Sequence, residues 1–355
     1  MFNPNRLILA RERRKLTRKE LAERIKISPV TITRNEKGTH PPESNTVDLF
    51  VKELNFPKEF FYSRDFDKLT KDSVSFRSLS SMTAKERKSA IAAGSISHLL
   101  SDWINNRFNL PKVDLLDLGG EYTPDAASRV MREHWNLGEK PVSNVIKLLE
   151  SKGVRVYSLV ENTKNVDAFS CWRKGIPYIY LNTFKTAERS RFDALHELGH
   201  LVLHRHGSAT GKEIEIQANQ FSSSFLMPEN DVLSKIPYVN SLTNLIKYKR
   251  RWGVSVAALA YRLHKLHVVS DWQYRTFCIE INKQFGKNEP NGLEREKSFI
   301  LKFIFTELWK EGVTRKAIAK DLHLPLDEIN NMITNILDSN KLFNHGSENT
   351  LKIIK

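Results

Sequence analysis

A chain of 355 residues is longer than one compact core needs, so we expect two or three domains. Its 40% apolar residues exclude wholesale disorder, and its net charge of +15 favours an anionic partner such as nucleic acid. Two distant cysteines, Cys171 and Cys278, exclude a disulfide framework, and neither a signal segment nor a membrane-spanning run is evident. We therefore expect a reduced, soluble, cytoplasmic protein that contacts no membrane.

Residues 1–64 have the pattern of two short helices joined by a tight turn. Thr17 and Glu20 are spaced as a capping box at the start of the first helix. Ser28-Pro29 gives the second helix an N-cap residue followed by proline. The apolar residues expected to pack the two helices together are Leu21, Ala22, Ile25, Ile27 and Ile32.

The outward face of this unit has the composition of a DNA-reading surface. The second helix would present polar and methyl-bearing side chains to base edges in the major groove. The basic residues from Arg6 to Lys19 could meet phosphates, although a helical module that never touches DNA is the alternative. The predicted DNA-contacting residues are Arg18, Lys19, Ser28, Val30, Thr31, Thr33 and Arg34.

Residues 5–62 resemble a Cro/repressor-type (XRE) helix-turn-helix, including the closing Glu36-Lys37-Gly38. The resemblance implies double-stranded DNA as a partner, and a homodimer is a further expectation. Two residues depart from the pattern. Lys26 takes the turn position where glycine is usual, and Asn35 takes a position that is commonly apolar or aromatic. Both departures could weaken the fit of the fold or alter the preferred target.

The middle of the chain combines helices with a small group of strands. Residues 65–140 are predicted to be a helical connector, with a long apolar stripe at helical spacing over residues 83–107. Strands grouped among helices without regular alternation then indicate an α+β fold for residues 141–270. The predicted strands and the helices after them cover residues 154–159, 168–172, 176–182, about 187–204 and about 214–226.

The run His196-Glu197-Leu198-Gly199-His200 is an HExxH pattern inside a predicted helix. Residues four apart lie on one helix face, so both imidazoles can reach one metal ion. Glu197 is rotated away from them and can act as general base toward a water that zinc activates. The pattern alone is only suggestive, because an amphipathic helix with two incidental histidines is the alternative.

A third ligand is expected on the next predicted helix. Glu215 and Asn219 share a face there, so one can bind the metal while the other orients a ligand histidine. Glu213 is a competing ligand that spacing alone does not exclude. His204, one turn beyond His200, suits a structural or solvent-facing role better than that of a fourth ligand.

The segments FDALHELGHLVLH and EIQANQFSSSFLMP resemble the ImmA/IrrE-type metallopeptidase family, as do residues 74–80 and 177–182. The match spans roughly residues 74–265 and implies a zincin-like domain with a small sheet. It also implies a regulatory endopeptidase that cleaves a transcriptional repressor, often in a stress response. The residue roles that it implies are Zn²⁺ ligation by His196, His200 and Glu215 and general-base action by Glu197. The same donors also accept Mn²⁺.

The C-terminal part, residues 271–355, is predicted to be helical. Within it, residues 312–329 again read as a helix-turn-helix, with Thr314 as the cap residue. We favour packing or partner binding for this segment over a second DNA-reading or winged-helix-like module, because many small helical units share its pattern.

The whole chain is thus predicted to be a mostly α, multidomain protein with an α+β core. The predicted domains are 1–64 (helix-turn-helix), 65–140 (connector), 141–270 (metallopeptidase) and 271–355 (helical C-terminal region). The leading function is a DNA-binding regulatory metalloendopeptidase. The alternatives are a DNA-binding regulator that uses the peptidase fold as a sensor without hydrolysis, and autoproteolysis near residues 110–122 that releases the head.

Overall fold

A computed structural model describes residues 1–69, 75–76, 83–159, 168–205, 211–286 and 288–337. Within these ranges the protein has a helical head, a central part with one small mixed sheet, and a helical C-terminal part. The predicted fold class is confirmed. In the part of the chain that the structure describes, each helix is too short or too polar to cross a bilayer.

The head is a small helical bundle that ends in a 3-10 turn. The predicted capping box is present, since Thr17 accepts the amide of Glu20 and Glu20 accepts the amide of Thr17. Ser28 caps the next helix, and the two helices pack through the predicted apolar seam. The elements of the head are α1 (Pro4–Arg13), α2 (Arg18–Ile25), α3 (Pro29–Glu36), α4 (Ser44–Leu54) and the turn Lys58–Tyr62.

The two departures from the helix-turn-helix pattern each have a local solution. Lys26 ends α2 in the left-handed region, with φ of 56° and ψ of 43°, where glycine would be unstrained. Asn35 is buried, and its side-chain amide donates to the carbonyl oxygen of His40 at 2.8 Å. A position that is usually apolar therefore holds a hydrogen bond that ties α3 to the loop after it.

Several basic residues at the start of the head are used inside the protein. Arg6 is buried, and its guanidinium lies 4.8 Å from the centre of the Phe60 ring. Arg11 is also buried and donates to Glu36 at 2.5 Å, while Arg13 donates to Glu328 at 2.9 Å. Because these guanidinium groups are enclosed, the expectation that all basic residues from Arg6 onward could meet phosphates is wrong for these three.

The central sheet, as far as it is described, consists of β1 (Ser75–Phe76), β2 (Arg155–Ser158), β3 (Ala168–Arg173) and β4 (Ile176–Leu181). The strand order is β1-β3-β4-β2, with β2 parallel to β4 and the other pairs antiparallel. The three longer strands agree with the predicted ones. The short β1 lies in the stretch 74–80, for which no strand is predicted; the other residues of that stretch lie outside the described ranges.

Helices enclose this sheet, and one of them lies between the sheet and a second helical layer. The helices of the central part are α5 (Ala84–Asn105), α6 (Pro124–His134), α7 (Val145–Ser151), α8 (Ala187–Leu203) and α9 (Lys212–Leu226). Helix α8 contacts β3 and β4 on one side and α9 on the other, and α6 packs on α9. The predicted metal-binding helix is therefore in the interior.

The C-terminal part packs on both the head and the central part. Its helices are α10 (Glu229–Lys235), α11 (Leu242–Trp252), α12 (Val256–Lys265), α13 (Asp271–Phe285), α14 (Phe299–Lys310), α15 (Arg315–Asp321) and α16 (Leu326–Ile333). Helix α16 contacts α5 and β2 and buries Ile329 and Met332, while its Glu328 pairs with the head. This burial favours packing over DNA reading for the second helix of the C-terminal pattern.

A segment before α14, residues 288–298, forms a strap over the N-terminal half of α8. Its Glu296 forms an ion pair with Arg191 of α8. The backbone amide of Leu293 donates to the carboxylate of Glu188, one turn earlier on the same helix, at 2.9 Å. These charge-assisted contacts make the C-terminal part a support of α8.

Replacing Lys26 with glycine should stabilise the head, because glycine adopts the left-handed conformation without a steric cost. We expect local opening of α2 and α3 to become harder by about 0.5–1 kcal/mol. Hydrogen exchange of their amides, measured in the full chain, should then slow about two- to fivefold. The control is Lys37→Gly, which removes a side chain from a right-handed position and should not slow exchange. Unchanged or faster exchange in Lys26→Gly would contradict this account.

Candidate metal centre and DNA-reading face

Helix α8 carries the HExxH residues through the interior. Thr186 caps its N-terminus by accepting the amide of Arg189 at 3.2 Å. The exposed fraction is 0% for His196 and Glu197 and 4% for His200. Polar side chains buried to this degree must find partners inside the protein, so their surroundings define the site.

The two histidines and one carboxylate converge on a single point. The Nε2 atoms of His196 and His200 lie 3.0 Å apart. The Glu215 carboxylate oxygens lie 3.3 Å and 3.5 Å from these two nitrogens, respectively. Among the described residues these three side chains form a group that could hold a metal ion, with donor atoms within 4.8 Å of one another. Glu213 lies outside this group, so the geometry favours Glu215 as the third donor.

The chemistry of this donor set fits a zinc-type ion. Two imidazole nitrogens and a carboxylate oxygen are a common catalytic zinc set that leaves a position for solvent or substrate, and manganese also accepts these donors. Burial opposes ionisation of Glu215, but the facing imidazoles of His196 and His200 outweigh it and lower the pKa of the carboxyl to about 2. A cation held by these three donors would balance this negative charge.

Each histidine of the cluster also has a hydrogen-bond partner on its other ring nitrogen. His196 Nδ1 lies 3.1 Å from Asn219 Oδ1, which is the orienting contact expected of Asn219. His200 Nδ1 lies 3.1 Å from His204 Nδ1. His204 thus contacts the ring of His200, which agrees with the structural role expected for it. It is not one of the converging donors. Burial lowers the pKa of the His204 imidazole, and the hydrogen bond to Gln217, which acts to raise this pKa, offsets only part of the effect.

The Glu197 carboxylate is held from the side of the sheet. Ser170 on β3 is 2% exposed and donates to Glu197 Oε2 at 2.7 Å. The hydroxyl therefore fixes the orientation of the Glu197 carboxylate. Ser170 was not identified from the sequence. The one signal for it is that a serine occupies an inward-facing position of a predicted strand.

The predicted DNA-reading residues of α3 face solvent. Val30 is 57% exposed, Ser28 and Arg34 are exposed, and Thr31 and Thr33 are partly exposed. An open helix face with hydroxyl, methyl and guanidinium groups is what a recognition helix needs to read base edges.

The two predicted contacts on α2 lie at its exposed start. Arg18 is 47% exposed but donates to Glu36 at 2.5 Å, so a phosphate would compete with that carboxylate. Lys19 is 80% exposed and lies 3.9 Å from Glu23. Lys19 therefore has the freer charge of the two.

Two known families match the chain. Residues 7–61 match a helix-turn-helix family, and residues 149–264 match the IrrE N-terminal-like domain, a peptidase family. A search of curated proteins finds no match. The fold and the site thus define a DNA-binding protein with a peptidase-like domain. More specifically, the chain carries an XRE-type helix-turn-helix domain at its N-terminus and an IrrE-type metallopeptidase domain that contains the His-His-Glu cluster.

Zinc binding should depend on Glu215 far more strongly than on Glu213. We expect the zinc-loaded wild type to hold about one ion per chain. Glu215→Ala should bind zinc at least about tenfold more weakly, because the cluster loses its carboxylate. Glu213→Ala is the matched control, since it removes the same group from the same helix two residues earlier. Metal content by mass spectrometry and titration against a chelator provide the measurement; equal losses in both variants would refute the assignment.

Proposed function

We propose that this protein is a DNA-binding regulatory metalloendopeptidase that hydrolyses peptide bonds of a partner protein. The observation that carries the proposal is the buried carboxylate of Glu197, which directly follows the cluster residue His196 in α8 and accepts a hydrogen bond from Ser170. A site that bound a metal only to stabilise the fold, or only to sense that metal, would not need this additional acid. An oriented acid that follows a metal-ligand histidine in the HExxH pattern is what the proposed general base requires.

The residues of the chain divide the proposed chemistry among them. Zinc, when bound by the two histidines and Glu215, would supply the Lewis acid that activates water and polarises the peptide carbonyl. Glu197 takes the proton of the attacking water and delivers it to the leaving amide nitrogen. Ser170 holds one oxygen of the Glu197 carboxylate and leaves the other oxygen for the proton transfer.

The fused head supports a substrate that is found on DNA, and we propose a transcriptional repressor. The head contacts the body of the protein, for example through Lys85, which donates to Glu20 at 2.5 Å. DNA binding by the head would therefore bring the peptidase close to proteins bound nearby and raise their effective concentration. Cleavage of the repressor would then switch genes on, as in a stress response.

The substitution Glu197→Gln should abolish peptide cleavage while leaving zinc and DNA binding unchanged. Loss of the general base should lower the cleavage rate by about 10²–10⁴-fold. The assay is digestion of a proteome-derived peptide library by the zinc-loaded full chain, with new termini identified by mass spectrometry. Gel shift on the promoter DNA of the protein's own gene measures DNA binding in the same samples.

Three results separate the competing functions. Cleavage by Glu197→Gln at the wild-type rate would show that the proposed base is wrong. Zinc and promoter binding by the wild type without any proteolysis would favour a regulator that uses the peptidase fold as a sensor. A chelator-sensitive fall in the intact mass of the chain itself would instead indicate autoproteolysis.

The substitution Arg34→Ala should weaken DNA binding without affecting cleavage of peptides. Loss of a base-contacting arginine costs about 1–3 kcal/mol, which corresponds to roughly 5- to 150-fold in affinity. The matched control is Arg24→Ala, because Arg24 is also exposed in the head but pairs with Glu53 on α4. Fluorescence anisotropy on the promoter duplex would measure both; equal effects would argue against α3 as the reading helix.

A further inference from the structure

A chain of hydrogen bonds links the exposed side of α9 to His200. Glu213 accepts the side-chain amide of Gln217 at 3.4 Å. Gln217 Oε1 lies 2.8 Å from His204 Nε2. His204 Nδ1 in turn lies 3.1 Å from His200 Nδ1, and His200 Nε2 faces the other donors of the metal centre. We refer to Glu213, Gln217, His204 and His200 as the relay.

The hydrogen bonds of the relay can run in only one direction, because the Glu213 carboxylate at its outer end can only accept. The Glu213 carboxylate takes the amide protons of Gln217, so the carbonyl oxygen of Gln217 points to His204. A carbonyl oxygen cannot donate, and His204 must therefore carry its proton on Nε2. The Nδ1 atom of the neutral His204 ring is then an acceptor for the Nδ1–H group of His200. This leaves the lone pair of His200 on Nε2, the atom that faces the metal centre.

We propose that His204 and Gln217 are positioning residues that hold His200 in the tautomer whose Nε2 can bind the metal. The inference rests on the metal centre of the proposed peptidase and extends it to two residues outside the converging donors. A metal needs the lone pair of a neutral imidazole, and the hydrogen bond at the other nitrogen selects the tautomer. His196 obtains the same selection more simply, from Asn219.

Packing of α8 against α9 is the competing role for these residues. Packing depends on the volume of the side chain at position 204, whereas the relay depends on an acceptor atom close to the position of Nδ1. Asparagine retains an acceptor oxygen near that position, and leucine fills comparable space without one. The variants His204→Asn and His204→Leu therefore separate the two roles.

Nuclear magnetic resonance reads the tautomers directly. Long-range proton–nitrogen spectra of the zinc-loaded, labelled full chain should show His204 protonated at Nε2 and His200 protonated at Nδ1. A proton on His204 Nδ1 would overturn the proposal, whatever the protein cleaves. If the wild type binds no zinc, the proposed function fails, and the tautomer of His204 in the zinc-free protein still tests the relay.

Zinc affinity provides the second measurement. By titration against a chelator, we expect His204→Leu and Gln217→Leu to weaken zinc binding about 10–100-fold and His204→Asn to stay within about threefold of wild type. His134→Leu is the control, because His134 bonds to Asp114 and belongs to no part of the metal centre. Equal weakening by His204→Leu and His204→Asn would show that packing alone accounts for position 204. Failure of the zinc-loaded wild type to cleave any peptide, together with the expected affinities of the variants, would count against the proposed function and leave the relay intact.

Discussion

The centre of this structure depends on the packing of two buried histidines against a half-buried carboxylate in the candidate metal site. Polar groups removed from water cost free energy unless each finds a partner, so the helices that carry them cannot pack in an arbitrary register. Helix α8 presents His196 and His200 on one face, and α9 meets them with Glu215 and Asn219. A rotation of α9 by one residue, about 100°, would turn both of these side chains away and leave the imidazoles unmatched.

The remaining layers hold α8 from its other sides. Strand β3 contributes Ser170, which donates to Glu197, and the strap contributes Glu296, which pairs with Arg191 near the start of the helix. Helix α16 then joins the head to this body through Glu328. The C-terminal part therefore supports the helix of the candidate metal centre, and it also contacts the helix-turn-helix head.

Local sequence patterns accounted for most elements of the fold, and the exceptions have physical reasons. The capping box, the strands and the long helices follow from nearest-neighbour chemistry, which acts within a few residues. The short strand β1 exists only because β3 offers it an edge to pair with. The buried use of Arg11 and Arg13 was also not predictable, because their carboxylate partners come from α3 and α16. A count of basic residues therefore overestimates the positive surface available to nucleic acid when some guanidinium groups are buried in ion pairs.

The sequence by itself determined the helix-turn-helix head and the HExxH pair, because both follow from spacing along a single helix or across one turn. It also restricted the third donor to a few acids on the next helix. Only the tertiary structure placed Glu215 and not Glu213 beside the two histidines, brought Ser170 to Glu197, and placed His204 between Gln217 and His200. These contacts join separate elements, so their distances depend on how the helices and the sheet pack, and spacing along the chain does not encode that.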